Sequence, residues 1–433
     1  DLVKAQLFGS QPLVPGIDEV RFGLAAKPAL EALSGAEGAL RRFRTESWIE
    51  YEDRVLAVER ANTTEQATGP SAWREAAIAG GDFILRQLRK DGSFHYQYFP
   101  LQDHHPPPDP AKLSLPRHAG TVYALALLYR YTGEERFKLG AERAIAWLDT
   151  RMGPECGTPE RACVLDGEWA SLGAAALTMV GMLEYQRATQ DPRYEPVLRR
   201  LAAFVLMMQK DDGNFYHQYA PGRDFIDPER LEMFYSEEAA LALVMAHEVL
   251  GEQRYLDAAK AALDYLTGPK YALFFLGQFI YGADHWTCIA VGEAFPRLDS
   301  RQYLDFCRGY SEFIGRLQYE PEGWPPGFEG HYGFTSFMVP QAPATAGFTE
   351  AIVSTWELSV AYGEESEALR QQVSAALDAL ARDQIRAENA WMMPAPQRAK
   401  GGIRRSLVES EVRIDFTQHA ASALIRGSHP KAQ

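Results

Sequence analysis

Ionisable residues cluster at the start of several otherwise apolar segments of this sequence. An apolar helix has no structural need for them beyond one capping group. The groups are Arg117-His118, Asp166 with Glu168-Trp169, Tyr235 with Glu237-Glu238, Asp284-His285-Trp286, and Arg413 with Asp415, Gln418 and His419. Carboxylates held close together in an apolar setting acquire separated pKa values, which general acid–base chemistry requires. These residues therefore predict a reaction centre if the fold brings the segment starts together.

The carboxylates of this set are the candidates for the acid and the base. When the repeated segments are superposed through Arg254 and Arg301, Glu237 falls opposite Asp284. Equivalent positions on two helices would then carry acidic groups across a shared cavity. Glu237 and Asp284 are therefore the preferred acid–base pair, and Asp415 is the third candidate. Glycosidases use two such groups, and their separation decides whether configuration is inverted or retained.

The histidines and arginines of the set suit proton transfer and anion binding. His118, His285 and His419 are candidates for carrying protons or for donating a hydrogen bond to a substrate carboxylate. Arg117 and Arg413 are candidates for binding such a carboxylate in bidentate geometry. This combination favours chemistry at uronic acids slightly over chemistry at neutral sugars.

Aromatic residues next to these groups suit sugar rings, because an aromatic face stacks on a pyranose while polar edges bond its hydroxyls. Two stretches repeat, DGSFHYQYFP at 91–100 and DGNFYHQYAP at 212–221; each predicts a tight turn followed by a strand. A long loop at 322–337 predicts a lid over the site. The predicted sugar-binding aromatic residues are Tyr96, Tyr98, Tyr219, Tyr235, Trp286 and Tyr332.

Two kinds of helix must position these residues. Six amphipathic segments alternate with six that are almost uniformly apolar, and short turns carrying Arg136, Arg193 or Arg254 join them at intervals of roughly 50–60 residues. Helices with little polar surface must be covered on both sides, so they predict an inner ring inside an amphipathic outer ring. The expected fold is all-α: an (α/α)6 toroid of six helical hairpins over residues 67–433. Residues 1–66 predict a short N-terminal extension with a few strands.

The stretch from Ser71 to Arg426 resembles the six-hairpin toroids of glycoside hydrolases, N-acylglucosamine epimerases and the C-terminal domain of glucuronyl C5-epimerases. LPRHAGTVYALALLYRYTGEERF is the most similar segment. The stretch from Gln209 to Phe215 also resembles the glutamine-tryptophan repeat of squalene and oxidosqualene cyclases, in which the glutamine ties a helix end to its neighbour. The acidic DxDD signature of those cyclases is missing from the sequence, which argues against terpene cyclisation.

Composition restricts the partners. The formal charge of −14 with no basic stripe argues against nucleic acid, and no apolar run is long enough to span a bilayer. Cys156 and Cys163 bracket a short loop that could close as a disulfide, which favours a periplasmic or secreted location over a cytoplasmic one. Oligomeric state is left open.

These observations predict a carbohydrate-active enzyme that acts on a poly- or oligosaccharide by general acid–base catalysis, with glycoside hydrolysis first. No cofactor and no metal are expected for that reaction. A uronate epimerase or lyase is the first alternative. A zinc-dependent toroid transferase or cyclase is the second, with ligands from Asp284, Cys288 and His419, or from His285 and Cys288. A non-catalytic glycan- or protein-binding toroid is the third.

Overall fold

The computed structural model describes residues 47–59, 62–63, 68–107, 114–153, 156–272, 275–276, 279–280, 285–322, 324, 327–333 and 340–429. The odd-numbered long helices are amphipathic: α1 Pro70–Gln87, α3 Glu135–Asp149, α5 Glu195–Met207, α7 Gln253–Leu266, α9 Arg301–Gly315 and α11 Glu367–Asp383. The even-numbered ones are largely apolar: α2 Leu115–Thr132, α4 Leu172–Thr189, α6 Tyr235–Leu250, α8 Trp286–Ala294, α10 Ala342–Ala361 and α12 Ile414–Gly427. A single helical turn, Pro396–Ala399, is separate from both sets.

The apolar helices form a closed inner ring. Each packs against the next, and α12 returns to pack against α2. Burial follows the predicted pattern: in α4 every residue from Leu172 to Gln186 is buried, whereas α7 buries one stripe that includes Tyr255, Ala259 and Leu263. The all-α fold with an (α/α)6 toroid is thus confirmed. Among the described helices, none combines the length and apolar character that a membrane span needs.

Short strands lie before α1 and in the connections between the helices of the ring. A three-stranded antiparallel sheet, β1 Ser47–Tyr51, β2 Arg54–Glu59 and β3 Asn62–Thr63, precedes α1. β4 Gln97–Tyr98 pairs with β12 Val412–Arg413, and β10 Phe275–Leu276 pairs with β11 Phe279–Ile280. A five-stranded sheet contains β5 Met152–Gly153, β6 Cys163–Asp166, β7 Trp169–Ser171, β8 Gln218–Ala220 and β9 Phe225–Asp227. Residues 1–46 lie outside the described part, so the domain boundary at residue 66 stays a prediction.

A glutamine and a glycine join successive hairpins. Gln209, just after α5, donates to the carbonyls of Gly213 at 3.2 Å and Ala258 at 2.9 Å, which ties its loop to α7 as the cyclase resemblance implies. Gln318 and Gln384 make the same two kinds of bond after α9 and α11. Gly213 has φ 90° and lies against the backbone of α7, where a side chain would collide. The aspartate–glycine stretches are therefore scaffold turns.

The C-terminal ends of the inner helices carry a charged network that the sequence analysis missed. Arg187 on α4 contacts Glu184 at 3.2 Å, Glu248 of α6 at 2.6 Å and Glu293 of α8 at 3.1 Å. Arg426 of α12 forms an ion pair with Glu357 of α10 at 2.6 Å. The contributing residues lie far along their helices from the polar helix starts, so this network occupies the end of the ring opposite the candidate site.

Candidate functional site

A histidine and a glutamate from two inner helices form the centre of the candidate site. Nδ1 of His419, one turn into α12, lies 2.6 Å from Oε2 of Glu350, two turns into α10. Glu350 is 2% exposed. A carboxylate at Nδ1 holds the N–H on that nitrogen and leaves Nε2 to exchange a proton with a substrate.

His285 faces this pair from a third helix. It immediately precedes α8, and its ring lies edge-on to the ring of His419 with centroids 5.3 Å apart. The ring centroid of Trp286 lies 5.7 Å from that of His419, and the ring centroid of Phe234 lies 5.0 Å from that of His285. Gly347 on α10 leaves room for the imidazole, since an added Cβ would lie 3.2 Å from three of its ring atoms. Two imidazoles therefore meet within an aromatic wall.

The surroundings of His419 raise the pKa of its imidazole. Burial alone would lower the pKa of this imidazole, but the charge of Glu350 and the hydrogen bond to it outweigh burial and raise the pKa above its usual value. Asp415 adds to the increase, because it lies one turn earlier on the same face of α12, whereas Arg117 opposes it. His419 is thus a stronger base than a free imidazole.

Asp415 connects the histidine pair to the rim. Its Oδ2 lies 2.9 Å from Nε of Arg117 and accepts a hydrogen bond of 3.2 Å from the Tyr96 hydroxyl, which in turn accepts one of 3.1 Å from Arg413. Burial, and then the charge of Asp415, raise the pKa of Tyr96 to about 12, so this hydroxyl stays protonated. Oδ1 of Asp415 is buried and makes no hydrogen bond to any described residue.

A cleft of about 1050 Å³ opens beside this cluster, near the starts of α2 and α4. Tyr96, Arg117, Tyr235 and Arg413, all predicted to bind substrate, line it. Trp169 of β7 lines it as well. A cleft of this size is at the upper end of the range for small-molecule sites, which suits an oligosaccharide better than a single sugar.

Of the preferred carboxylate pair, only Glu237 lies within the described residues. Glu237 is fully buried on α6 and forms an ion pair with Lys270. Asp284 lies outside the described residues. Their role as acid and base stays a prediction, as does that of Asp415, which contacts Arg117 and Tyr96.

His118 lies away from the histidine pair. Its ring packs 4.8 Å from Phe94 and 4.3 Å from Trp147 by ring centroids, and its Nε2 lies 3.3 Å from the carbonyl oxygen of Ala144 on α3. Burial lowers its pKa to about 4. His118 therefore packs between the inner and outer helices as a neutral imidazole, which argues against its predicted role in proton transfer.

Three of the predicted sugar-binding tyrosines are anchors. Tyr98 and Tyr219 are each 1% exposed, and their hydroxyls donate hydrogen bonds of 2.8 Å to Asp103 and Asp224. Tyr332 is 2% exposed and accepts a hydrogen bond from a glutamine of α11. A buried ring cannot stack on a sugar, and Trp286, which is 3% exposed, is buried as well. Of the predicted aromatic residues, Tyr96 and Tyr235, which line the cleft, remain as sugar-contact candidates.

The described part of the loop at 322–337 packs inward. Phe328 is fully buried, His331 is 3.2 Å from the Thr345 hydroxyl, and Glu329 forms an ion pair with Arg382. These residues fasten the loop to the helices, so the lid prediction is wrong for them.

The cysteines are paired. Cys156 bonds to Cys163, as the sequence predicts, and Cys288 bonds to Cys307. A disulfide sulfur is not available as a thiolate ligand, which removes Cys288 from the zinc alternative. His285, Glu350 and His419 instead offer ligand atoms within 4.8 Å of one another, and they are the group in the described chain that could hold a metal ion.

Glu350 is the residue that sequence reasoning missed. The predicted candidates lie at helix starts, whereas Glu350 lies in the middle of the helix TAGFTEAIVSTWELSVAY. The available signal was an acidic residue in the middle of a helix that is apolar on all faces, since such a charge needs a partner.

No protein-family model and no curated protein matches the sequence. Solved structures do match the fold. An unsaturated glucuronyl hydrolase specific for heparin superposes with a TM-score of 0.59 at 13% identity, covering 83% of this chain and 98% of its own. A sugar epimerase from a ruminal bacterium gives 0.61 at 14%, covering 84% and 99%. An inactive variant of the α-1,6-mannanase from a Salegentibacter species, in complex with α-1,6-mannotetrose, gives 0.57 at 11%, covering 83% and 99%. At these identities the similarity establishes architecture, and the protein has the (α/α)6 toroid fold that these enzymes share.

Proposed function

We propose that the protein is a carbohydrate-active enzyme that acts on an oligo- or polysaccharide by general acid–base catalysis. The observation that carries this proposal is the His419–Glu350 pair facing His285 beside a large cleft with aromatic and arginine walls. Similar solved structures include a glucuronyl hydrolase, a sugar epimerase and a mannanase, so enzymes on this fold act on saccharides.

The arrangement favours proton transfer at a sugar carbon, as in a uronate epimerase or lyase. Nε2 of His419 takes the proton from the carbon next to a carbonyl or carboxylate group, and the electron pair moves onto that group as an enolate. In this proposal His285 is the second acid: it returns a proton to the opposite face of the carbon, which inverts the configuration, or it protonates a leaving oxygen, which completes an elimination. Arg117 would stabilise the developing negative charge.

Solvent isotope exchange tests this reaction. Neutral and uronic oligosaccharides are incubated with the enzyme in deuterated water and analysed by NMR for deuterium at carbon, and by ultraviolet absorbance for unsaturated products. We expect one of these signals with a uronic substrate, and its loss in His419→Gln and in His285→Gln with circular dichroism unchanged. Unaltered exchange in both variants would exclude the histidine mechanism.

Glycoside hydrolysis is the second candidate, and Asp415 favours it. This carboxylate is mostly buried and contacts Arg117 and Tyr96 of the cleft wall, and its Oδ1 has no hydrogen-bond partner in the described chain. A hydrolase would release reducing ends without deuterium at carbon and would lose that release in Asp415→Asn. Metal analysis of the purified protein covers the remaining alternative, because a stoichiometric metal bound to His285, Glu350 and His419 would replace proton transfer by metal-assisted chemistry.

A further inference from the structure

Arginines concentrate around the cleft of a protein that is acidic as a whole. The chain has a formal charge of −14. Five arginines nevertheless line the cleft against two aspartates: Arg89, Arg117, Arg151, Arg230 and Arg413, with Asp91 and Asp166. A cleft lined by one sign of charge raises the local concentration of ligands of the opposite sign.

The arginines differ in how far their charge is already neutralised. Three are paired with acidic residues: Arg117 with Asp415 at 2.9 Å, Arg413 with Glu411 at 2.6 Å and Arg230 with Glu232 at 3.0 Å. Arg89 and Arg151 make no ion pair with a carboxylate among the described residues. Asp91 interacts electrostatically with Arg89, but its Oδ1 accepts hydrogen bonds from the backbone nitrogen and hydroxyl of Ser93 instead of forming an ion pair. The two guanidinium groups without an ion pair can therefore bind a ligand anion.

Aromatic rings accompany these cations. The guanidinium carbon of Arg151 lies 4.9 Å from the centroid of the Trp147 ring, and Trp147 also lines the cleft. Among the arginines that form ion pairs, the guanidinium carbons of Arg117 and Arg413 lie 5.5 Å and 5.7 Å from the Tyr96 ring centroid. An aromatic face beside an arginine suits a pyranose that carries an acidic group, because the ring can stack while the anion is bound.

We infer that the cleft binds an oligosaccharide with anionic groups on at least two of its sugar units. One anion is bound by Arg117 and Tyr96, next to His419. The second is bound by Arg89 and Arg151, which form a separate anion subsite. This inference rests on the proposed function, and carboxylates and sulfate esters both satisfy the chemistry.

Calorimetric binding to inactive His419→Gln protein tests the second subsite. The ligands are galacturonic acid, its α-1,4-linked trimer, the sulfated trimer of a neutral sugar and the unsulfated form of that trimer. Binding of each ligand is measured to the His419→Gln protein and to the same protein that also carries Arg89→Gln and Arg151→Gln. Arg254→Gln is the matched control, because this exposed arginine pairs with Glu252 on one of the short turns, at the opposite end of the hairpins.

We expect the double substitution to weaken binding of an anionic trimer about tenfold and to leave the affinity for the monomer and for the neutral trimer unchanged. The control substitution Arg254→Gln should leave the affinity for every ligand unchanged. The salt dependence of trimer binding should also decrease. The trimer that binds more tightly identifies carboxylate or sulfate as the preferred anion.

Equal affinity for neutral and anionic trimers, or no effect of the double substitution on either anionic trimer, would overturn the inference. If either result is obtained and the unaltered enzyme still turns over a neutral glycan, the inference fails and the proposed function stands. Charge-dependent binding of trimers without turnover of any saccharide by the unaltered enzyme would instead support the subsite and contradict the proposed function.

Discussion

The bond between His419 and Glu350 decides what the centre of the ring can do. An isolated imidazole in an apolar pocket would be neutral and free to turn, because burial disfavours its charged form. The glutamate holds the ring in one orientation and one tautomer, and it makes the imidazole more basic. His118 shows the contrast, since the same residue type without a carboxylate has a pKa lowered to about 4.

Glu350→Gln should therefore slow the enzyme and shift its pH profile. The amide keeps the shape of the side chain but removes the charge that raises the pKa of His419. We expect kcat to fall about a hundredfold and the acid limb of the kcat profile to move to lower pH. Glu367→Gln, on the exposed outer surface of α11, is the control and should behave as unaltered protein. A reduced rate with an unmoved acid limb would show that Glu350 does not act through His419.

The same pair links pH to stability. A folded-state pKa above the unfolded value gives stabilisation that is complete below the unfolded pKa and is lost as pH rises through the folded pKa. The stability difference between unaltered protein and Glu350→Gln should thus be largest below the unfolded-state pKa of histidine, and should shrink as pH rises through the raised pKa of His419. Urea unfolding at several pH values measures it; a difference that grows with pH would contradict this assignment.

Helical hairpins are joined by a device that recurs around the ring. A glycine with positive φ lies against the backbone of the next outer helix at Gly92, Gly213, Gly330 and Gly401. Only glycine combines this conformation with such a close approach. The turn thereby sets the distance between neighbouring outer helices.

Gly213→Ala should cost about 3 kcal/mol or more of unfolding free energy, because backbone strain adds to a collision with α7. Gly251→Ala is the matched control: Gly251 also has positive φ, but nothing lies within 4 Å of an added Cβ, so only strain of about 1 kcal/mol is expected. Chemical denaturation of the two variants gives the comparison. Equal losses would show that the close approach at Gly213 is unimportant.

The two ends of the ring carry different kinds of polar cluster. One end holds the histidine pair and the cleft. The other holds the charged network, in which Arg426 and Glu357 are each 5% exposed and lie 2.6 Å apart. A buried ion pair contributes little net stability when intact, but loss of one partner leaves an uncompensated charge.

Arg426→Met should reduce the unfolding free energy by about 3–5 kcal/mol, because it leaves Glu357 buried without this cation. The double variant Arg426→Met/Glu357→Leu should recover most of the loss, since both charges are then gone. Thermal and urea unfolding of the unaltered protein, Arg426→Met, Glu357→Leu and the double variant complete the cycle. A double variant as unstable as the single one would indicate that packing, rather than charge, governs this end of the ring.

Much of the architecture could be predicted, because its signals are local. The alternation of apolar and amphipathic helices separated inner from outer ring, and the aspartate–glycine pairs marked the turns. Helical phase was harder. His118 and His285 both lie near inner-helix starts, yet one points to the outer helix α3 and the other faces His419. Each residue turns a helix by about 100°, so a small shift in the helix start redirects the side chain.

The ring is predictable from the chain's hydrophobic periodicity, because that periodicity shows which face of each helix must be buried. Tertiary structure decided which polar groups meet. Glu350 and His419 are 69 residues apart, and Tyr96 and Asp415 are 319 residues apart. No local pattern encodes such contacts. They arise because ring closure brings α10, α12 and the start of α2 together, and because a buried charge is stable only beside its partner.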